Sequence, residues 1–178
     1  NDLGPTADIT GNAIFDEGTL QTFDASGSTS SPDAFASFEW DIDYDGFTFD
    51  VNFDTGVVST LDYTYLDDGS YDIAVRVTDD DGSTDLTVMT VTVNDLGPTA
   101  NAGADQSIFV TEIVDVDGSG STSSPDSIVL YEWDWTDDGT YDDVGVTATS
   151  PAYGTIGTYT VRLRVTDDDG SQSEDTLT

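Results

Sequence analysis

The sequence has no cysteine and no histidine, and its only basic side chains are three arginines, Arg76, Arg162 and Arg164. The first absence excludes disulfides, thiol catalysis and zinc–thiolate sites together. The second removes the usual general base, so no serine here has a partner to activate it, and no G-x-S-x-G elbow is present. Only carboxylate pairs remain as catalysts, and these need a cleft with the two groups roughly 5–9.5 Å apart, which a small sandwich does not offer. No enzyme is expected. No run approaches the roughly 18–20 apolar residues that cross a bilayer, so no membrane segment is expected in this chain. No N-x-S/T sequon occurs either.

Against three arginines stand 37 acidic side chains, giving a formal net charge of -34. That balance rules out nucleic acid as a partner, because phosphate binding requires a basic face. Such a charge repels itself unless salt or bound cations screen it, which points to a saline or calcium-containing medium and a halophilic or marine source. Disorder is the alternative for an acidic chain. It is rejected because 36% hydrophobic and 11% aromatic residues, placed periodically, supply a core.

The chain is internally repeated. NDLGPTA at 1–7 returns at 94–100, GSTSSPD at 27–33 returns at 120–126, and Phe38-Glu39-Trp40-Asp41 returns as Tyr131-Glu132-Trp133-Asp134, all offset by 93. After the tryptophan the offset falls to 88, as Thr78-Asp79-Asp80-Asp81-Gly82-Ser83 becomes Thr166-Asp167-Asp168-Asp169-Gly170-Ser171. A period near 90 suits one independently folding sandwich, so two domains are expected, at 1–93 and 94–178. Met89-Thr90 aligns with Leu177-Thr178, so the last strand of the second domain is expected to be truncated. Asn94-Asp95-Leu96-Gly97-Pro98 forms a short linker whose proline limits swivelling. The expectation is one unit of a longer array.

Tyr71, Ile73, Val75 and Val77 alternate with polar or small neighbours, as do Tyr159, Val161, Leu163 and Val165. Trp40 and Trp133 are expected to fill the two cores, with Trp40 against Tyr71 locking the sheets. No segment keeps helical period beyond a turn. The fold class is therefore all-β, two tandem immunoglobulin-like antiparallel β-sandwiches. YEWD followed by an aspartate-rich turn, then G-x-Y-x-V-x-L-x-V-T-D-D-D-G-S, resembles the polycystic kidney disease (PKD) domain family over both repeats. That resemblance implies a fold akin to fibronectin and immunoglobulin modules, and a place in cell-surface proteins, archaeal surface layers or secreted hydrolases. The stretch at 50–62 departs from the pattern and leaves the edge strands there open.

Asp41-x-Asp43-x-Asp45-Gly46 sets three carboxylates at alternate positions before a glycine, the opening of a calcium loop, with Asp50 or Asn52 to close the shell. The second repeat offers Asp134, Thr136, Asp138, Asp142 and Asp143, one carboxylate having become threonine. The alternative is that these side chains only solvate a turn. The D-D-D-G run is read first as a solvated turn, and the alternative is a further calcium between domains held by Asp95, Asp167, Asp168 and Asp169. Arg76 and Arg164 are expected to pair with Glu39 and Glu132 across strands. Tyr44, Phe47, Phe49 and Phe53 crowd one loop and are expected to cap their own sandwich, pack on a neighbour, or stack on sugars.

These readings converge on an extracellular or cell-surface structural repeat stiffened by calcium, in a fibre, stalk or adhesin. Its expected partners are neighbouring copies of the same module in a homopolymeric fibre. The alternative is an accessory domain of a secreted hydrolase that binds polysaccharide or matrix.

Overall fold

Alternating strands separated by glycine- and aspartate-rich turns can bury one face only by pairing and then stacking. A computed structural model describes residues 3–178; Asn1 and Asp2 of the first NDLGPTA motif lie outside the described residues. The chain divides into two units, Asn1–Asp95 and Leu96–Thr178. Among the described residues there is no helix, and so none long and apolar enough to cross a membrane.

The first unit contains β1 (Ile14–Asp16), β2 (Gln21–Asp24), β3 (Phe35–Asp41), β4 (Phe53–Asp54), β5 (Thr60–Tyr63), β6 (Gly69–Asp79) and β7 (Thr84–Asn94). One sheet has the order β1-β7-β6-β3-β4, and β2 pairs with β5 opposite it. All pairings are antiparallel except β1 with β7. The 50–62 stretch thus supplies β4, an edge strand beside Glu39 and Trp40, and the start of β5. Phe15, Phe23, Phe38, Trp40, Leu61, Tyr65, Ile73, Val75, Val77, Val91 and Val93 form the core between the sheets.

The second unit contains β8 (Asp115–Asp117), β9 (Ile128–Asp134), β10 (Asp143–Val144), β11 (Thr147–Thr149), β12 (Val161–Asp167) and β13 (Gln172–Leu177). Its sheets are β10-β9-β12-β13 and β11-β8. Trp133, Trp135, Val116, Val161, Leu163 and Val165 lead its core, and the two indoles stack with centroids 6.2 Å apart.

Trp40 and Trp133 are fully buried, and each indole N–H finds an acceptor: Thr55 Oγ1 at 3.2 Å for Trp40, Gly145 O at 2.9 Å for Trp133. Tyr71 packs against the cluster that contains Trp40, and its ring lies tilted against Tyr65 with centroids 4.5 Å apart. Tyr65 in turn donates to Ile42 O at 2.8 Å and fixes the segment that follows β3; Tyr153 donates to Trp135 O at 3.4 Å in the second unit. Replacing either tryptophan by alanine removes the largest core side chain of its unit. Trp133→Ala is expected to cost about 3–5 kcal/mol, read as a lower midpoint in chemical denaturation.

Candidate metal-binding turns

β3 and β9 each end on an aspartate that has left water: Asp41 is 1% exposed and Asp134 0%. A buried carboxylate without partners is costly, and in both turns backbone amides supply the partners. Asp41 accepts from Asp43 N at 3.3 Å and from Asp50 N at 2.8 Å. Asp134 accepts from Thr136 N at 3.0 Å and from Gly139 N at 2.8 Å. Burial pushes the Asp134 carboxyl up, but the amides of Thr136, Gly139, Asp138 and Asp137 outweigh it and hold it below the usual aspartate value.

In the first turn Asn52 Oδ1 accepts from Ile42 N at 2.7 Å, so it anchors the strand exit. Asp45 accepts from Phe47 N at 2.8 Å and Thr48 N at 2.7 Å; those amides, Thr48 first, hold its carboxyl low. Asp43 moves the other way. Loss of solvent around it, then its hydrogen bond with Asp41 and the charges of Asp41 and Asp50, raise it. Asp41, Asp43 and Asp50 are therefore electrostatically coupled, while Asp45 and Asn52 are engaged by the turn itself.

The second turn is satisfied throughout. The Thr136 hydroxyl lies 3.5 Å from Asp134, Asp138 accepts from Thr140 N at 2.8 Å, Asp142 from Trp135 N at 3.0 Å, and Asp143 from Val144 N at 2.9 Å. Asp142 does here what Asn52 does in the first unit. Neither turn gathers three carboxylates within 4.8 Å of each other. In the first turn Asp41, Asp43 and Asp50 nevertheless crowd negative charge that raises Asp43. In the second turn Asp134 likewise faces amide hydrogens, and Thr136 stands where the first turn has a third carboxylate.

Asp167, like Asp79 in the first unit, is 1% exposed and braces its hairpin by accepting from Ser171 N at 2.8 Å; Asp79 accepts from Ser83 N at 2.8 Å. The glycines of these turns, Gly82 and Gly170, take φ of 95° and 94°, which a side chain would strain. Asp168 accepts from Ser127 N at 2.8 Å. Asp169 is exposed, with a carboxylate oxygen within 4.8 Å of one on Asp126. In the first unit Asp95 stands within 4.8 Å of Glu17, which is fully buried. Sequence reasoning singled out neither Glu17 nor Asp126. The available signal for Glu17 was its alignment with Val110, an acid in one repeat at an apolar position of the other.

The arginines lie on the outer faces of β6 and β12. Arg76 pairs with Glu39 and Arg164 with Glu132, each at 2.7 Å, as the cross-strand register requires. Phe49 lies under Arg76, 4.5 Å from its guanidinium, and Tyr141 under Arg164, at 3.9 Å. Tyr141 also donates to Glu174 at 2.6 Å; burial and that carboxylate push its hydroxyl up to about 12. Arg162 binds Asp137 at 2.6 Å and also Glu174. Of the loop aromatics, Tyr44 and Phe49 pack together at 6.4 Å, Phe53 meets Tyr63 edge-on at 5.7 Å, and Phe47 stays 93% exposed.

These are two immunoglobulin-like sandwiches in tandem, with acid-rich turns at the exits of matching strands. The chain belongs to the PKD domain family, whose model matches residues 3–93 and 96–178. It is similar to the dyslexia-associated protein KIAA0319 homolog of Rattus norvegicus, 31% identical over 157 residues, which is 83% of this chain and 14% of that protein. It is also similar to the Homo sapiens protein of that name, 34% identical over 122 residues, 64% of this chain and 11% of that one. The chain thus spans a small part of the curated relatives it matches. Among solved structures, the PKD1 domain of Vibrio anguillarum Epp covers 54% of this chain and 100% of its own, with 20% identity and a TM-score of 0.42. The PKD1 domain of the Vibrio cholerae metalloprotease PrtV covers 52% and 99%, with 23% identity and a TM-score of 0.40.

Two expectations follow from this geometry. Asp134→Asn removes a carboxylate whose folded value is depressed, so its stabilisation is present above the unfolded value, near 4, and lost as pH falls through the folded one. Urea midpoints of wild type and variant should differ at pH 7, begin to converge as pH falls below about 4, and meet only below the depressed folded value. A double-mutant cycle on Glu39 and Arg76, both partly exposed, should return a coupling of about 0.2–1 kcal/mol.

Proposed function

We propose that this chain is a structural repeat of an extracellular surface fibre, stalk or adhesin, stabilised by calcium at the first turn, and that it holds other parts apart rather than catalysing a reaction. The observation that carries this reading is the repetition of a whole sandwich, core, turn and surface arginine alike. Repetition of complete domains adds length; a catalyst needs only one site. The acidity supports an extracellular, salt-rich setting, where screening makes such a charge tolerable. Neighbouring copies of the module are the partners.

Asp41, Asp43 and Asp50 would hold the ion. Calcium supplies positive charge to oxygens that otherwise repel, and it stabilises the folded state by mass action. At about 100 times the dissociation constant one site adds ~2.7 kcal/mol, which calorimetry in calcium and in chelator resolves as a rise in Tm. Asp43→Ala should remove most of that rise, and Asp138→Ala, in the satisfied second turn, should leave it. An unchanged Tm in moderate salt would remove the calcium and leave the spacer role standing.

A further inference from the structure

The ten residues after Trp133 hold five aspartates, Asp134, Asp137, Asp138, Asp142 and Asp143, where the ten after Trp40 hold four. Amide hydrogens compensate single oxygens of this group, the buried Asp134 above all, but an amide brings no net charge. The exposed part of the charge needs a cation. β12 places one there. Its outward residues are Arg162, Arg164 and Thr166, and the register sets Arg162 opposite Asp134, where β9 ends and the turn begins.

From that position Arg162 reaches two ways. Its Nε donates to Asp137 Oδ1 at 2.6 Å, and its Nη1 donates to Glu174 Oε2 on β13, diagonal to it across the ladder. Glu174 also accepts from the Tyr141 hydroxyl at 2.6 Å, and the Arg164 guanidinium lies 3.9 Å from that ring. The Tyr141 hydroxyl first, and then Arg162, hold the Glu174 carboxyl below its usual value. Asp137 itself has φ 55°, a left-handed conformation that a residue with a side chain adopts at a cost. The residue that bears this cost is the one the guanidinium grips. The first unit is built differently. Ala74 stands at the position of Arg162, opposite Asp41, while Tyr44 and Leu86 stand at those of Asp137 and Glu174.

We propose that Arg162 is the built-in counter-ion of the second turn, a positioning residue that does from within the chain what a dissolved divalent cation does for a carboxylate-rich loop, so that this turn is ordered without metal. A single exposed ion pair contributes little, but one guanidinium shared by two carboxylates is ordered once for both contacts. Arginine suits the task because its planar fork presents Nε and Nη1 in fixed directions, whereas an ammonium is a point of charge on a flexible stem. Through Asp137 the guanidinium fixes the middle of the turn, and through Glu174 and Tyr141 it is linked to the turn's far end. The inference concerns other residues than those assigned to calcium in the first turn, and it stands whether or not that turn takes an ion.

The test follows amide hydrogen exchange by NMR in the full chain, in calcium and in chelator, at Thr136, Gly139 and Thr140, whose amides face Asp134 and Asp138. In the wild type these rates should be the same in both media. Arg162→Ala should speed them about threefold or more in chelator, and calcium should restore them. Arg162→Lys, which keeps the charge and loses the fork, should fall between the two. The amides of Leu163 and Val165 in the central ladder report the stability of the unit as a whole and should change far less. Wild-type rates that depend on calcium would overturn the proposal, as would turn amides indifferent to Arg162→Ala. So would a variant whose ladder amides speed up equally, or whose turn calcium fails to restore.

Discussion

Backbone amides neutralise the carboxylates that this chain takes out of water. With 37 acidic side chains and three guanidinium groups, cations cannot do it from within the chain. Asp41, Asp79, Asp134 and Asp167 are each no more than 1% exposed, and each accepts at least one amide hydrogen from its own turn. The same contact meets two needs. It compensates the buried charge, and it fixes the turn that returns the chain to the sheet. β3, β6, β9 and β12 can therefore all end in aspartate without opening the cores they border.

The arginines complete this arrangement from outside. Each partly exposed Arg–Glu pair contributes little by itself. Its effect lies in what the guanidinium covers: Arg76 over Phe49, and Arg164 over Tyr141, hold the acidic turn against the outer face of its own sheet. The aromatic residue in each turn is thus held by a cation that is itself held by a glutamate one strand away. This places a charged turn at a defined position with no disulfide and no helix.

Much of this was legible in the sequence because repeats and alternation report directly on strands. The two offsets located both units, the period of two picked Trp40, Val75, Leu163 and Val165 for the core, and strand register alone paired Arg76 with Glu39. What alternation cannot report is the identity of every neighbour on a face, such as Tyr65 tilted against Tyr71. Nor can it say whether an aspartate faces a cation or an amide, since both are met by the same oxygens. Asp45, Asp138 and Asn52 carry the spacing of a metal loop, yet hydrogen-bond to backbone amides of their own turns.

The two turns nevertheless part company for an identifiable reason. Position 43 is aspartate in the first unit, and its counterpart, Thr136, is a hydroxyl that can approach Asp134 without repulsion. In the second unit the amide of Gly139 also reaches Asp134, whereas in the first the amide at that carboxylate comes from Asp50, a residue that brings its own charge. One substitution of charge and a different amide donor thus separate the second turn from one in which Asp43 is pushed up by its neighbours. A divalent ion would therefore relieve more repulsion at the first turn than at the second.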